Sequence, residues 1–305
     1  IKKEAIGREE FLKHVWRWKE QSGGQIVKQM KRLGVTPAWS RQRFTMDEGL
    51  KNAVRKAFVN LYDAGLIVRG NYMVNWCTHD GALSDVEVEH KENKGKLYYL
   101  RYYFADEQDK FIVVATTRPE TYFGDTAVMV NPADERYKNL IGKKVVLPLI
   151  GREIEIIADE YVDMSFGTGA VKVTPAHDTN DYEVGKRHEL EFITVFDEKG
   201  ILNEQCGKFQ GLERLAAREQ IVAELEWLGF IEKIEDYENQ VGYCYRCKNV
   251  VEPYISQQWF VRADIAKDAI SKVNSGEAEF FPKHWINSFN AWMRELKDWC
   301  ISRQL

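Results

Sequence analysis

FGTGAVKVTPAHDTNDYEVGKRH, residues 166–188, is the stretch on which the fold reading turns. Its centre alternates: Val171 and Val173 point to one face, Lys172 and Thr174 to the other, as side chains do along a strand. Pro175 cannot donate to a ladder and ends it. His177, Asp178 and Asp181 follow at the start of a predicted helix. ATTRPET, residues 115–121, has the same plan, because the apolar run Phe111–Ala115 stops abruptly in hydroxyls and charges. Two such strand ends side by side make a polar pocket from a Lys, an Arg, several hydroxyls and two carboxylates. These groups suit a zwitterion joined to a phosphorylated sugar.

Upstream, residues 1–70 read as helical. Phe11, Leu12, Val15 and Trp16 lie at helical spacing until Gly23-Gly24 break it. A second helix is expected with Ile26, Val27, Met30 and Leu33 inward and a stop at Gly34. Thr45-Met-Asp-Glu48 reads as a capping box for a third, with Leu50, Ala53, Val54, Ala57, Phe58 and Leu61 on one face. From Asn71 the runs YMVNW, VEVEH, KLYYLRYYF and FIVVATT are strand-like, with a turn expected at Asn93-Lys94-Gly95. A helix is expected over Arg214 to Leu228, ahead of Gly229. Short strands return after Tyr237, and the last thirty residues turn helical again. Helices, a β-rich block, then helices is the order of one compact domain inserted into another.

Composition narrows the classes. With 305 residues, 44% hydrophobic and 30% charged, the chain has ample material for a globular core. No apolar run approaches the roughly 18 residues of a membrane span. A net charge of −4 argues against a nonspecific nucleic-acid binder, so contact with RNA must rest on local patches. Five cysteines, an odd number, fit a reducing compartment, with the cytoplasm as the expectation. The chain does not begin with Met and stops at Leu305 after a helical pattern, so it is read as a piece of a larger protein.

TTRPET together with GTGAVKVTPAHDTNDYEVGKRH resembles the editing domain inserted into class I valyl-tRNA synthetases. Leucyl and isoleucyl relatives are expected to carry a Thr-rich peptide with Trp where this chain has Arg118-Pro119-Glu120. The likeness extends through GREEF (7–11), WSRQRFTMDEGL (39–50), VNWC and ALSDVEVE (within 74–89), VVEPYISQQWFV (250–261) and DWCISRQL (298–305), and so covers nearly the whole chain. It implies an α/β (α+β) fold: a β-rich editing, or connective-peptide, domain inserted into part of a Rossmann-type class I catalytic domain. Residues 1–76 would be the helical part of the catalytic domain, 77–93 a zinc-ribbon-like connector, 94–240 the insert, 241–262 the returning ribbon strands and 263–305 a truncated helical return. It also implies a valine–tRNA ligase whose editing site here hydrolyses threonyl-tRNA(Val). HIGH-like and KMSKS-like signatures are absent from these residues, so ATP would serve only the full-length enzyme. The implied partner is the 3′ end of tRNA(Val) carrying threonine, or a free aminoacyl-adenylate. No membrane is involved, and a monomer is expected.

Carried onto this chain, the resemblance makes Asp181 the partner of the substrate's α-ammonium. A structural reading stands beside it, with Asp178 as N-cap and Asp181 at the third helical position of a capping box. Thr117, supported by Thr116, would bond the threonine hydroxyl or hold a water near the ester. Arg118 and Lys172 would anchor the terminal nucleotide, and Phe166 would stack on its adenine or else pack in the core. Thr174 belongs to the same polar face. His177 is a secondary candidate, because a lone His is more often structural. Direct attack by water needs no nucleophilic side chain, and no Ser-His-acid order suggests one. No cofactor is expected in the editing site.

Cys244-Tyr-Arg-Cys247 is a C-x-x-C knuckle of the kind found in zinc ribbons. The pair expected at Cys77 and three residues on is Cys77-Thr-His-Asp80. Cys77, Cys244 and Cys247 with Asp80 or His79 would close a tetrahedron around a structural zinc; a decayed site with free thiols is the other reading, and both stay open. Cys206 and Cys300 have no spacing partner. Two further functions compete with editing: a noncatalytic module that binds the tRNA 3′ end, and a metal-dependent phosphohydrolase using His177-Asp178.

Overall fold

The computed structural model describes residues 3–107, 109–294 and 296–304. The chain divides into two units, Ile1–Asn60 and Leu61–Leu305. The first is helical: α1 (Lys3–Ser22), α2 (Gln25–Arg32) and the start of α3 (Glu48–Asp63). Gly34, at φ 74°, follows α2, where a side chain would strain the backbone. Asp47 rather than Thr45 caps α3, accepting from the Leu50 N–H at 2.8 Å, so the cap lies two residues further on and, with Leu50 at the third helical position, is a simple N-cap and not the expected capping box. The inward faces expected for α2 and α3 are not buried. Ile26 is 62% exposed, Leu33 80% and Val54 65%, which leaves apolar stripes without a core beneath them.

The second unit holds two sheets. Strand β1 (Ile67–Cys77) starts four residues earlier than the sequence pattern suggested, so the expected helical segment 1–76 ends in a strand. With β2 (Gly81–Leu83), it joins β10 (Val251–Val261) and β11 (Trp299–Cys300) in the order β11-β10-β1-β2. Strand β3 (Val88–Phe104) enters the larger sheet, followed by β4 (Phe111–Thr116), β5 (Ala127–Val130), β6 (Lys144–Val146), β7 (Glu153–Ala158) and β8 (Ala170–Val173). Helix α4 (Thr179–Arg187) and α5 (Arg214–Trp227) come next, then β9 (Ile231–Cys244), β10 (Val251–Val261), α6 (Lys267–Ser275), α7 (Trp285–Arg294) and β11 (Trp299–Cys300). The last segment is thus helical only in part. None of the described helices is long and apolar enough to cross a membrane.

The larger sheet runs β4-β3-β6-β7-β5-β8, with β9 paired to β3. Among the described residues its one parallel pair is β5 with β7. Its two outer strands come back together, since Thr168 Oγ1 donates to the Val113 carbonyl at 2.7 Å. The sheet is therefore curled, and Leu100, Tyr102, Val114, Tyr122, Phe123, Val128 and Ile156 fill its interior without exposure. No turn occurs at Asn93-Lys94-Gly95. These residues continue β3 and face Asn239, Glu238 and Tyr237 of β9, so cross-strand pairing overrides the local turn signal. The expected insert, 94–240, begins and ends near facing rungs of this ladder.

Candidate active site

The polar ends of β4 and β8 lie at the place the alternation of Val171 to Thr174 implies. Val171 and Val173 pack with Val184 of α4, while Lys172 and Thr174 face the other way. Gly185 lets α4 sit on the strand end, because a Cβ there would lie 2.7 Å from Pro175 Cβ. Asp178 caps α4, its Oδ1 accepting from Asn180 N at 2.8 Å and Asp181 N at 3.1 Å. The reciprocal half of a capping box is missing. Asp181 turns back instead, and its Oδ2 accepts from the Thr174 N–H at 2.8 Å. Burial, with the Asp178 carboxylate adding to it, raises the Asp181 carboxyl to about 7. Among the described residues Oδ1 of Asp181 accepts no hydrogen bond.

The end of β4 is joined through Arg118 to the turn that precedes α4. Thr116 is buried and its Oγ1 accepts from Arg118 N at 3.0 Å, while Thr117 is half-buried. Arg118 donates Nη1 to the His177 carbonyl at 2.7 Å and Nη2 to Glu252. The two turns are thereby tied together. Phe166 is 51% exposed with an edge contact to Tyr237, so it is not a core residue. Its neighbour Gly167 approaches β4: a Cβ there would lie 3.4 Å from Ala115 Cβ.

Three expected contact residues have other tasks in the structure. The Lys172 ammonium is buried and engaged with Asp125 Oδ1 at 3.0 Å and with Thr174 Oγ1, so it is not an open anchor for phosphate. The Thr174 hydroxyl donates to the same Asp125 oxygen at 2.6 Å and is 1% exposed. His177 is also 1% exposed; its Nε2 accepts from Val195 N at 2.8 Å and its ring packs 4.3 Å from that of Phe196. Burial, reinforced by the charges of Arg118 and Lys172, holds its pKa well below the usual range. A ring so placed reaches neither a ligand nor a metal. Arg118 likewise has protein partners for its guanidinium, although its side chain remains 25% exposed.

The sequence reading missed the groups that hold this arrangement. Asp125 is fully buried, takes the Tyr102 hydroxyl at 2.7 Å on Oδ2, and has its pKa raised by burial against the opposing pull of Lys172. Glu120 is fully buried in a two-bond grip from Arg218 at 2.7 and 2.8 Å. Buried charges of this kind must be paired, and that rule was the only signal available from the residues alone.

Away from this site, Cys77, Asp80, Cys244 and Cys247 present donor atoms all within 4.8 Å of one another. Zinc bonds of about 2.3 Å to sulfur and 2.0–2.2 Å to oxygen in a tetrahedron put sulfurs about 3.8 Å apart and sulfur about 3.5 Å from oxygen. Cys77 and Cys247 Sγ are 3.3 Å apart, and Asp80 Oδ2 lies 3.8 and 3.2 Å from Cys77 and Cys244 Sγ. These three separations lie within about half an ångström of those values, and the donor set is compatible with a structural zinc. Burial opposes the Asp80 charge, but hydrogen bonds from Cys247 and Cys244 outweigh it and lower its pKa. His79 stands outside, with Nδ1 3.4 Å from Asp80 Oδ1.

A curled β sheet entered and left by one ribbon, with a Cys-rich knuckle at the ribbon's root, agrees with the family comparison. The chain belongs to the class I tRNA synthetases of the I, L, M and V group, whose family model matches residues 1–305. Within that class the relatives it is similar to are valine–tRNA ligases. It is 72% identical over 305 residues to that of Campylobacter jejuni strain RM1221, covering 100% of this chain and 35% of the relative. It is 71% identical to that of Wolinella succinogenes, covering 100% and 34%, and 65% identical to that of Helicobacter pylori strain 26695, covering 100% and 35%. The chain thus spans about a third of the length of the curated relatives it matches.

Proposed function

We propose that the chain is the editing portion of a valyl-tRNA synthetase and hydrolyses the ester joining threonine to tRNA(Val). The observation that carries this is Asp181. Its carboxyl is buried, held by one backbone N–H, has an oxygen to spare, and titrates near neutrality. Such a group is poorly solvated as an anion until a cation arrives, and an α-ammonium is the cation an aminoacyl ester supplies. Thr117 at the facing turn accepts or donates to the threonine hydroxyl. Valine, lacking that oxygen, would leave a buried polar group unpaired and be rejected, a limit for which this enzyme class is itself the standard illustration.

Phe166 stacks on the terminal adenine, and the exposed part of Arg118 takes the adjoining ribose or phosphate. Lys172, Thr174 and Asp125 form the support beneath Asp181. Water attacks the ester carbonyl, which backbone N–H groups or hydroxyls polarise, with the substrate's ribose hydroxyl assisting. Cys77, Asp80, Cys244 and Cys247 hold a zinc that acts structurally, joining the end of β1 to the knuckle after β9.

The test uses the full-length enzyme and threonyl-tRNA(Val). Asp181→Asn is expected to slow deacylation by about 10- to 100-fold, the value of one charge-assisted contact. Equal rates would remove the amine assignment. Tight binding of intact tRNA by the wild type without ester hydrolysis would favour a binding-only module.

A further inference from the structure

Glu252 lies on β10, in the smaller sheet, outside the segments that form the site. It is 2% exposed, and each carboxylate oxygen is taken by an arginine from a different part of the chain. Oε1 accepts from Arg214 Nε at 2.6 Å, at the start of α5, and Oε2 accepts from Arg118 Nη2. Arg118 uses its other terminal nitrogen on the His177 carbonyl at 2.7 Å and its backbone N–H on Thr116 Oγ1 at 3.0 Å. Its Nε lies 3.5 Å from Glu120, which Arg218 also grips. Arg214 in turn pairs with Glu213. The cluster therefore sets three guanidinium groups against three carboxylates, with Glu252 as the member contributed by the smaller sheet.

We propose that Glu252 is a positioning residue for ester hydrolysis, acting through Arg118 to hold the Thr116–Arg118 turn against the turn that leads into Asp178 and Asp181. The inference rests on the editing function proposed above. A carboxylate this buried fixes its partners sharply, because an arginine that swings away strands a charge out of water. The Arg118 guanidinium bridges the two strand ends, so its orientation sets how the facing hydroxyl and carboxyl meet the ester. Displacements of about 1 Å in such an arrangement cost on the order of 100-fold in rate. Removal of Glu252 also frees Arg118 to meet phosphate directly, so substrate affinity should not fall with the rate.

The experiment measures deacylation of threonyl-tRNA(Val), aminoacylation and thermal unfolding in the full-length enzyme. It compares wild type, Glu252→Gln, Arg118→Ala and the double variant, with Asp181→Asn as reference. Glu252→Gln is expected to lower kcat for deacylation about 10- to 100-fold with KM unchanged or lower, and to leave aminoacylation kinetics as in the wild type. In the Arg118→Ala background it should add no further loss of kcat. Glu252→Asp keeps the buried charge and gives the same readouts, with a smaller drop, should the Gln form fail to accumulate. Additive losses in the double variant, or parallel losses in deacylation and aminoacylation, would overturn the inference. So would an undiminished rate in Arg118→Ala beside a diminished one in Glu252→Gln. An undiminished rate in Asp181→Asn strikes instead at the editing function itself, and the two failures are told apart.

Discussion

Asp181 titrates in the folded protein at about 7, against an ordinary value of 3.8. The folded state therefore holds this proton more tightly than the unfolded chain does. A raised acid works against stability: its contribution is intact below the unfolded pKa and is lost progressively as pH climbs to the folded one. The two titrations are about three pH units apart, and each unit is worth about 1.4 kcal/mol, so the full loss is about 4 kcal/mol. About 3 kcal/mol of it falls between pH 5 and pH 8. Asp181→Asn carries no charge at any of these values and keeps an oxygen for the Thr174 N–H. In urea unfolding of the chain, the variant should gain on the wild type by about 3 kcal/mol between pH 5 and pH 8. Asp178→Asn should shrink that gain, since the neighbouring carboxylate contributes to the shift. A difference that stays flat with pH, or that tilts the other way, would refute the picture of a poorly solvated carboxyl awaiting a cation.

Lys172→Met strands Asp125 in the interior and should cost about 3–5 kcal/mol in unfolding free energy, with Asp125→Asn restoring part of it. If the single variant melts like the wild type, Lys172 is not the internal support described. Wild-type enzyme should contain one zinc per chain by elemental analysis; Asp80→Ala should release it faster to a chelator and Asp80→Cys more slowly. Wild-type enzyme free of zinc would leave the knuckle as free thiols, and release indifferent to both changes would remove Asp80 as a ligand. Phe166→Ala should change stability by no more than about 0.5 kcal/mol yet weaken binding of a nonhydrolysable threonyl-adenosine analogue by about 1–3 kcal/mol, measured calorimetrically. Unchanged affinity would remove the stacking role.

What the residues disclosed was local. Pro175 closes β8, Asp178 opens α4, and the period-two pattern of Val171 to Thr174 sorts faces correctly, since each depends on neighbours within a few positions. The Cys/Asp cluster that could hold a metal was legible for the same reason, as two short spacings, Cys77 to Asp80 and Cys244 to Cys247. Partnerships over long separations were not. Lys172 is 47 residues from Asp125, and Arg118 is 134 from Glu252, so cations that read as open anchors turn out to have internal partners. The turn signal at Asn93-Lys94-Gly95 failed similarly, because β9 supplies a ladder that no local pattern reveals. Among the helices of the first unit, periodicity named the apolar faces but not what lies against them.

The β3–β9 ladder sets a timetable for biosynthesis. Asn93 meets Asn239 across it, a separation of 146 residues. At about 5–20 residues per second, a ribosome needs roughly 7–30 s to make the second strand after the first. Throughout that interval the Val88–Leu100 edge of β3 lacks the partner that β9 supplies, a template for nascent neighbours to misjoin. Slowed elongation within this span should therefore raise the demand for chaperones before it alters the finished enzyme.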